Sequence, residues 1–311
     1  MIDAIRRNFA DAVQLFVVPC LVALLPWRLG YACLRRMARG GHGLDAAAEA
    51  ACAIARRYIA IDDEDAWKRR FRLFKLVERV DTWLLLLRPA RWWRRQIDVA
   101  GSWPTSPGRH VLLTYHWGGG QWVFGPLREQ GLAAHFIARR TEAADHGSGR
   151  IARGIATVRG RALARAGCLG VLFVGDGSRA RIVEVLAQGD SVLGMLDLPA
   201  RAQQAVFEGR LLDHAVRLPR GLLDIAAECQ APVLLLSCSV DTATGRRVLR
   251  LEHVPAGADE SVIGAHYLCH LDARLREEPA IWHLWEAAPL MLVDADADVG
   301  EETGNAPAAL Q

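Results

Sequence analysis

The stretch LLTYHWGGGQW, residues 112–122, indicates both the fold class and the first candidate functional residue. Its apolar run predicts a buried β-strand over residues 110–115, and His116 follows directly. Three glycines, Gly118–Gly120, then let the backbone approach a ligand and turn successive N–H groups toward an anion. Loops at the carboxyl ends of strands carry the chemistry of α/β proteins. We therefore expect a functional His116, the alternative being a structural histidine that ends the strand.

From residue 110 onward, short apolar runs alternate with amphipathic segments. This alternation predicts an α/β domain with a mostly parallel central sheet flanked by helices. The predicted strands cover 110–115, 133–138, 168–174, 191–196 and 232–239. The predicted helices cover 121–130, 149–166, 178–188, 219–229 and 261–277.

The N-terminal region has a different character. Residues 12–27 carry no charge and contain Pro19 and Pro26. The run is shorter than the roughly 20 apolar residues of a spanning helix, and no small-residue cleavage site follows it. We expect a membrane-associated helical segment, inserted from one side or crossing as a short tilted span; a buried core helix is the alternative.

Charge and aromatic residues concentrate in the same region. Residues 1–100 have a net charge of +7, whereas residues 101–311 have −4. The segments at 66–75 and 84–96 interleave tryptophan and phenylalanine with arginine and lysine, a composition typical of a membrane interface. Nucleic-acid binding and a solvated helical face are the alternatives, and we expect lipid rather than nucleic acid.

These patterns divide the chain into three regions. Residues 1–100 form a helical, membrane-associating region, 101–293 an α/β domain, and 294–311 an acidic tail that we expect to be disordered. The seven cysteines include no C-x-x-C pair, which favours reduced thiols and argues against a metal site.

The segment HWGGGQW resembles the H-x4-D/E block of the glycerolipid-type lysophospholipid acyltransferase superfamily. More narrowly, it resembles the H-F-G-N-W-E form of the lipid A late acyltransferases (lauroyl and myristoyl acyltransferases) of Gram-negative bacteria. Four further blocks resemble that family in the same order along nearly the whole chain. They are LLPWRLGYACLRRMAR, RIVEVLAQGDSVLGMLDLPAR, VFEGRLLDHAVRLPRGLLDIAAECQAPVLLLS and LREEPAIWHLW.

The resemblance implies an α/β acyltransferase at the cytoplasmic face of the bacterial inner membrane. Such an enzyme moves a fatty acyl chain from a thioester on acyl carrier protein, or on coenzyme A, to a hydroxyl or amine of a lipid or glycolipid. It implies no metal and no cofactor beyond that co-substrate. His116 would be the general base and the backbone of Gly118–Gly120 would help to hold the oxyanion. Arginines would bind anionic groups, the positional candidates being Arg139, Arg165 and Arg179.

The chain departs from the family at the residue five positions after the histidine, where Gln121 replaces the usual acid. Glutamine can accept a hydrogen bond from the imidazole but carries no charge. The C-terminal block also lacks the usual H-R-R. We expect a divergent acyltransferase whose acceptor is another glycolipid, an aminolipid or a polyene-type pigment lipid. Asp176 and Asp197, both at predicted strand ends, are candidates for the missing acid.

Two other functions remain open. A non-catalytic protein of the same fold would bind acyl chains or lipids without turnover. An S-adenosylmethionine methyltransferase would explain the strand, the Gly-x-Gly turn at 175–177 and the acid after the strand at 191–196, although Arg179 occupies the third glycine position.

Overall fold

The computed structural model describes residues 13–41, 43–139, 150–201 and 204–293. The acidic tail predicted for 294–311 lies outside the described residues. Within them the chain is an α/β protein with a mostly parallel seven-stranded sheet flanked by helices, as the sequence predicts.

The strands of the large sheet lie in the order β1-β9-β8-β2-β5-β3-β4. Its only antiparallel pair within the described residues is β8 with β9; the other neighbours are parallel. The bounds are β1 Ile97–Ala100, β2 Val111–Thr114, β3 Ala134–Arg139, β4 Gly170–Val174, β5 Ser191–Met195, β8 Val233–Val240 and β9 Arg247–His253. Strands β2 and β8 are almost wholly buried, since helices cover both faces at the centre.

A small antiparallel sheet has the order β10-β7-β6 and was not anticipated from the sequence. Its strands are β6 Val206–Leu211, β7 His214–Pro219 and β10 Leu292–Val293. Leu212 and Asp213 form its hairpin turn with φ values of 52° and 67°. Neither residue is glycine or asparagine, so the usual sequence signal for a two-residue hairpin is missing.

The helices before the sheet are α1 Val18–Leu24, α2 Trp27–Arg39, α3 Asp45–Ala55, α4 Glu64–Leu87 and α5 Ala90–Arg94. Those that follow are α6 Phe124–Glu129, α7 Arg150–Ala166, α8 Ser178–Ala187, α9 Gly221–Glu228 and α10 Glu260–Glu277. Asp63 caps α4 and Asp259 caps α10 through side-chain oxygens that accept backbone N–H bonds.

The apolar N-terminal stretch is split into short pieces. A π-helical turn at Val13–Val17 precedes α1, which ends before Pro26. Of the helices that the structure describes, none has the length and apolar character needed to cross a membrane. Helix α1 is only half covered, because Val22 and Ala23 are buried while Leu21 and Leu24 are exposed.

The aromatic residues expected at a membrane interface mostly belong to the core. Trp67, Phe71 and Phe74 of α4 are buried, as is Trp93, whose indole N–H donates to the Leu84 carbonyl at 3.1 Å. Trp92 is half-buried. The sequence pattern therefore reflects a helix whose aromatic side packs inward and whose arginines face solvent.

Candidate active site

His116 and Asp197 meet because they follow neighbouring parallel strands in register. Thr114, the last residue of β2, lies opposite Met195, the last residue of β5. His116 comes two residues after the end of β2 and Asp197 two residues after the end of β5, so both lie at the same level beyond the carboxyl edge of the sheet. His116 Nδ1 lies 3.0 Å from Asp197 Oδ1. The carboxylate missing at position 121 is thus supplied by Asp197, 81 positions after His116 in the chain.

Asp197 is held by three hydrogen bonds and is only 1 % exposed. Its Oδ2 accepts the backbone N–H of His116 at 2.8 Å and the indole N–H of Trp282 at 2.9 Å. Its Oδ1 faces the imidazole. A carboxylate accepts at both oxygens, so this arrangement places the ring proton on Nδ1 and leaves Nε2 as a proton acceptor.

Tyr267 fixes the strand ends on which this pair depends. Its hydroxyl accepts the backbone N–H groups of Leu196 and Asp197, both at 3.1 Å, and donates to the Thr114 carbonyl at 3.0 Å. One buried side chain therefore ties the end of β2 to the end of β5. Burial raises the pKa of Tyr267 well above its ordinary value, so the hydroxyl stays protonated and keeps its donor.

Gln121 does not take the role that the sequence suggested for it. It lies in a 3₁₀ turn, Gly120–Val123, and lines the cavity into which His116 opens. Of the described residues, Asp197 is the one whose side chain bonds the His116 ring. Asp176, the other candidate acid, is exposed in the turn after the edge strand β4.

The three glycines after His116 differ in the space around them and in what a side chain there would contact. Gly118 has a φ of +68°, and a Cβ there would collide with the Cys238 carbonyl oxygen. A Cβ on Gly119 would lie 3.1 Å from the Asp81 carboxylate, whereas Gly120 faces open space. The loop therefore packs against β8 and α4 through Gly118 and Gly119, whereas Gly120 lies at the wall of the cavity beside His116.

This packing narrows the set of oxyanion donors that the sequence suggested. The N–H of Gly118 donates to the Ile281 carbonyl at 3.2 Å and that of Gly119 to the Cys238 carbonyl at 2.8 Å. Both groups are engaged and are not available to a substrate. Within the described part of the chain, the N–H groups of Gly120 and Gln121 have no such partner, as expected at the start of a helical turn.

A cavity of about 340 Å³ opens beside His116. This volume falls in the range of small-molecule sites, about 300–1,000 Å³. One part of its wall is apolar and the other carries ionisable groups. The apolar residues are Phe124, Phe136, Leu163, Leu193 and Met195. The ionisable residues are Lys75, Glu78, His116, Arg159 and His283.

The ionisable part is organised around His283. Its Nε2–H donates to the Gly118 carbonyl at 3.0 Å, so its Nδ1 accepts from Lys75 Nζ at 3.1 Å. Glu78 lies 3.5 Å from the same Nδ1 and 3.5 Å from the Arg159 guanidinium. Burial lowers the pKa of His283, against the opposing effect of Glu78. The neutral imidazole therefore links a cationic group to the glycine loop.

Glu78 carries the negative charge of this cluster. Burial alone would raise its pKa, but the neighbouring cations Lys75, Arg159 and Arg79 lower it below the ordinary value of a glutamate. Glu78 is thus ionised throughout the physiological range. Glu78 pairs with Arg159, and His283 accepts from Lys75, so both cations lie at the cavity wall, where they can face an anionic substrate group.

The three arginines expected from the resemblance lie elsewhere. Arg165 donates to the Leu85 carbonyl and stacks over Trp93, and Arg179 pairs with Glu228 at the surface. Arg139 is exposed at the end of β3 and is not part of the cavity wall. Sequence reasoning missed Lys75 and Arg159. The one available signal was composition, since Lys75 is one of only two lysines in the chain.

A buried ion pair supports the glycine loop from behind. Asp81 and Arg247 contact each other, and both side chains are 0 % exposed. The guanidinium lies between two indole rings, 4.7 Å from the Trp27 centroid and 4.3 Å from that of Trp122. Burial raises the pKa of Asp81 to about 6, against the opposing effect of Arg247. The pair anchors Trp122, the residue that follows Gln121.

The elements of the methyltransferase pattern are not adjacent. The Gly175–Gly177 turn follows the edge strand β4, and Asp197 follows β5, with β3 between them. Two strand spacings separate these positions by about 10 Å. Asp197 is already bonded to His116, so the structure does not bring the turn and the acid to one ligand.

No protein-family model matches this chain, and a search of curated proteins finds no match either.

Proposed function

We propose that the protein is an acyltransferase that moves a fatty acyl chain from the thioester of acyl carrier protein, or of coenzyme A, to a hydroxyl or amine of a lipid or glycolipid. The observation that carries the proposal is the His116–Asp197 pair at the mouth of a partly apolar cavity. A histidine held in one tautomer by a buried carboxylate is a general base whose second nitrogen faces the substrate.

The reaction follows from this geometry. Nε2 of His116 accepts the proton of the acceptor hydroxyl as its oxygen attacks the thioester carbonyl carbon. A C–O bond forms, and the carbonyl oxygen becomes an oxyanion near the N–H groups of Gly120 and Gln121. The C–S bond then breaks, and the imidazolium returns its proton to the departing thiolate. Asp197 stabilises the imidazolium between these two transfers.

The cavity wall supports the substrate class. Phe124, Phe136 and Leu163 offer an apolar surface to an acyl chain, while Lys75 and Arg159 offer positive charge to an anionic part of donor or acceptor. The same two features would serve a non-catalytic lipid-binding protein. Only the ordered His116–Asp197 pair adds a reason to expect turnover.

The proposal includes a location at the cytoplasmic face of a bacterial inner membrane. Support comes from exposed apolar side chains on α1 and α2, namely Leu21, Leu24 and Leu29, each more than half exposed. Arg28 and Arg35 are exposed on α2 nearby. Apolar and cationic side chains side by side are typical of a surface that lies on anionic lipid.

The test is transfer from an acyl carrier protein thioester to extracted membrane lipids, followed by mass spectrometry of the acylated product. His116→Ala should lower the rate about 10²–10⁴-fold, the range for loss of a general base. The matched control is His266→Ala, which removes a half-exposed histidine that pairs with Glu252 on the surface. Equal activity in His116→Ala and His266→Ala would contradict the proposal.

A further inference from the structure

A second large cleft lies outside the candidate active site. It has a volume of about 760 Å³ and lies between α2 and the loop that joins β8 to β9. None of its lining residues contributes to the cavity at His116. Its lining includes three aromatic residues and three arginines, namely Trp27, Tyr31, Trp92, Arg28, Arg35 and Arg246.

The cleft is a built feature, because its two walls are bonded to each other. The indole N–H of Trp27 donates to the Gly245 carbonyl at 3.0 Å, and the Tyr31 hydroxyl donates to the Thr242 carbonyl at 3.0 Å. Gly245 has a φ of +74°, and a Cβ there would lie 2.7 Å from the Tyr31 ring. The loop is therefore held against α2 in one position.

The acidic groups around the cleft are already engaged. Asp98 binds Arg246 through both oxygens, at 2.6 and 2.5 Å. The Asp241 carboxylate accepts from the backbone and hydroxyl groups of its own loop. Arg28 and Arg35 are exposed and have no carboxylate partner among the described residues. Two guanidinium groups thus remain available to an anion from solution.

The remaining lining is aromatic and apolar. Trp27 and Trp92 meet edge to face with their ring centroids 6.4 Å apart, and Pro26 and Ala32 extend this surface. A cleft lined by both guanidinium groups and aromatic or apolar side chains suits a phosphate attached to apolar groups better than a free inorganic ion.

We propose that this cleft binds the phosphate of an anionic phospholipid headgroup, with Arg28 and Arg35 as its ligands. A lipid is favoured over a free phosphate because Leu29 is exposed on α2, the helix that forms one wall of the cleft, and Leu21 and Leu24 are exposed on the preceding helix α1. They can enter the apolar layer while the arginines remain at the level of the headgroups. The inference rests on the membrane location proposed above and not on acyl transfer.

The experiment measures binding of the full-length protein to phosphatidylcholine vesicles with and without phosphatidylglycerol. Arg28→Gln and Arg35→Gln should each weaken binding to the anionic vesicles at least about tenfold, because each removes a charge-assisted hydrogen bond to the phosphate. Arg36→Gln is the matched control, because Arg36 is exposed on the same helix but does not line the cleft. Its binding should weaken no more than about fivefold, the effect of losing one surface charge near anionic lipid.

The apolar contribution is tested with Leu21→Gln and Leu24→Gln, two exposed positions whose change leaves the core intact. Both should weaken binding to either kind of vesicle. Soluble competitors distinguish the sources of phosphate: inorganic phosphate, at constant ionic strength, should fail to displace the protein from the vesicles.

Three results would overturn the inference. If Arg36→Gln lost as much affinity for the anionic vesicles as the two cleft variants, the arginines would act only through the general charge of the surface. Displacement by inorganic phosphate would assign the cleft to a soluble phosphate. If the arginine variants lost affinity for purified acyl carrier protein and kept their affinity for vesicles, the cleft would be a protein-docking site. Acyl transfer itself would be untouched by any of these results, so the two proposals fail separately.

Discussion

Replacing Asp197 with asparagine tests the proposed base without changing the size of the side chain. Oδ2 of Asp197 accepts two buried donors, the His116 backbone N–H and the Trp282 indole N–H. An amide NH₂ group in that position would leave both donors without an acceptor, at a cost of about 1–3 kcal/mol each. The amide oxygen should therefore stay at Oδ2, and the NH₂ group should face the imidazole.

This orientation reverses the tautomer of His116. Nδ1 must now accept from the amide, so the ring proton moves to Nε2, the nitrogen that has to accept the substrate proton. In serine proteases the same change lowers the rate about 10⁴-fold, largely through the wrong tautomer. We expect a loss of that order in Asp197→Asn. The fold should persist, because every buried donor around position 197 keeps a partner.

The assay compares the rate of acyl transfer with the thermal midpoint of the same protein preparation. A large loss of rate with a small change in the midpoint supports the assignment. If Asp197→Asn is folded and keeps more than about a tenth of the original rate, Asp197 does not set the tautomer and the reasoning is wrong. ¹⁵N chemical shifts of the His116 ring provide a direct check, since they report which nitrogen carries the proton.

Three further predictions concern the surroundings of the site. Gln121→Glu should not raise the rate, because Asp197 already bonds His116; a rate above that of the unmodified protein would restore position 121 as the acidic partner. Tyr267→Phe should lower the free energy of unfolding by about 1–3 kcal/mol for each of the two N–H groups that it orphans, measured by urea denaturation. The third prediction concerns His270, because burial lowers its pKa to about 4. The unfolded state therefore binds more protons than the folded state between pH 6.5 and 4, and the free energy of unfolding should fall as the pH drops through that window. The raised pKa of Asp81 acts in the opposite direction, so the measured quantity is the difference in free energy of unfolding between the unmodified protein and His270→Gln, from urea denaturation at several pH values. If that difference does not change with pH, the assignment to His270 is wrong.

Much of the fold follows from local pattern. The five predicted strands each match an observed strand to within two residues at either end, because buried parallel strands are continuous apolar runs between turn residues. The predicted helix at 261–277 also matches α10, which spans Glu260–Glu277. The five strands without a sequence prediction, β1, β6, β7, β9 and β10, are partly exposed or lie at sheet edges. Their apolar periodicity is correspondingly weak.

The aromatic, arginine-rich segments show what composition leaves undecided. The interleaving of Trp67 and Phe71 with basic residues is typical of an interface with lipid, but these two rings are buried on α4. Periodicity gives the faces of a helix but not what each face contacts. That is decided by the element packed against it.

For the site, the sequence by itself placed His116 and the glycines after it at the carboxyl end of a strand, because the apolar run, the histidine and the glycines are consecutive in the chain. Only the tertiary structure decided the partner of the histidine. Asp197 reaches it because β2 and β5 are neighbours in register, and strand order is set by long-range packing. Lys75 and Arg159 likewise meet at the cavity because α4 and α7 pack together. Contacts between residues about 80 positions apart depend on that packing, which no local sequence pattern specifies.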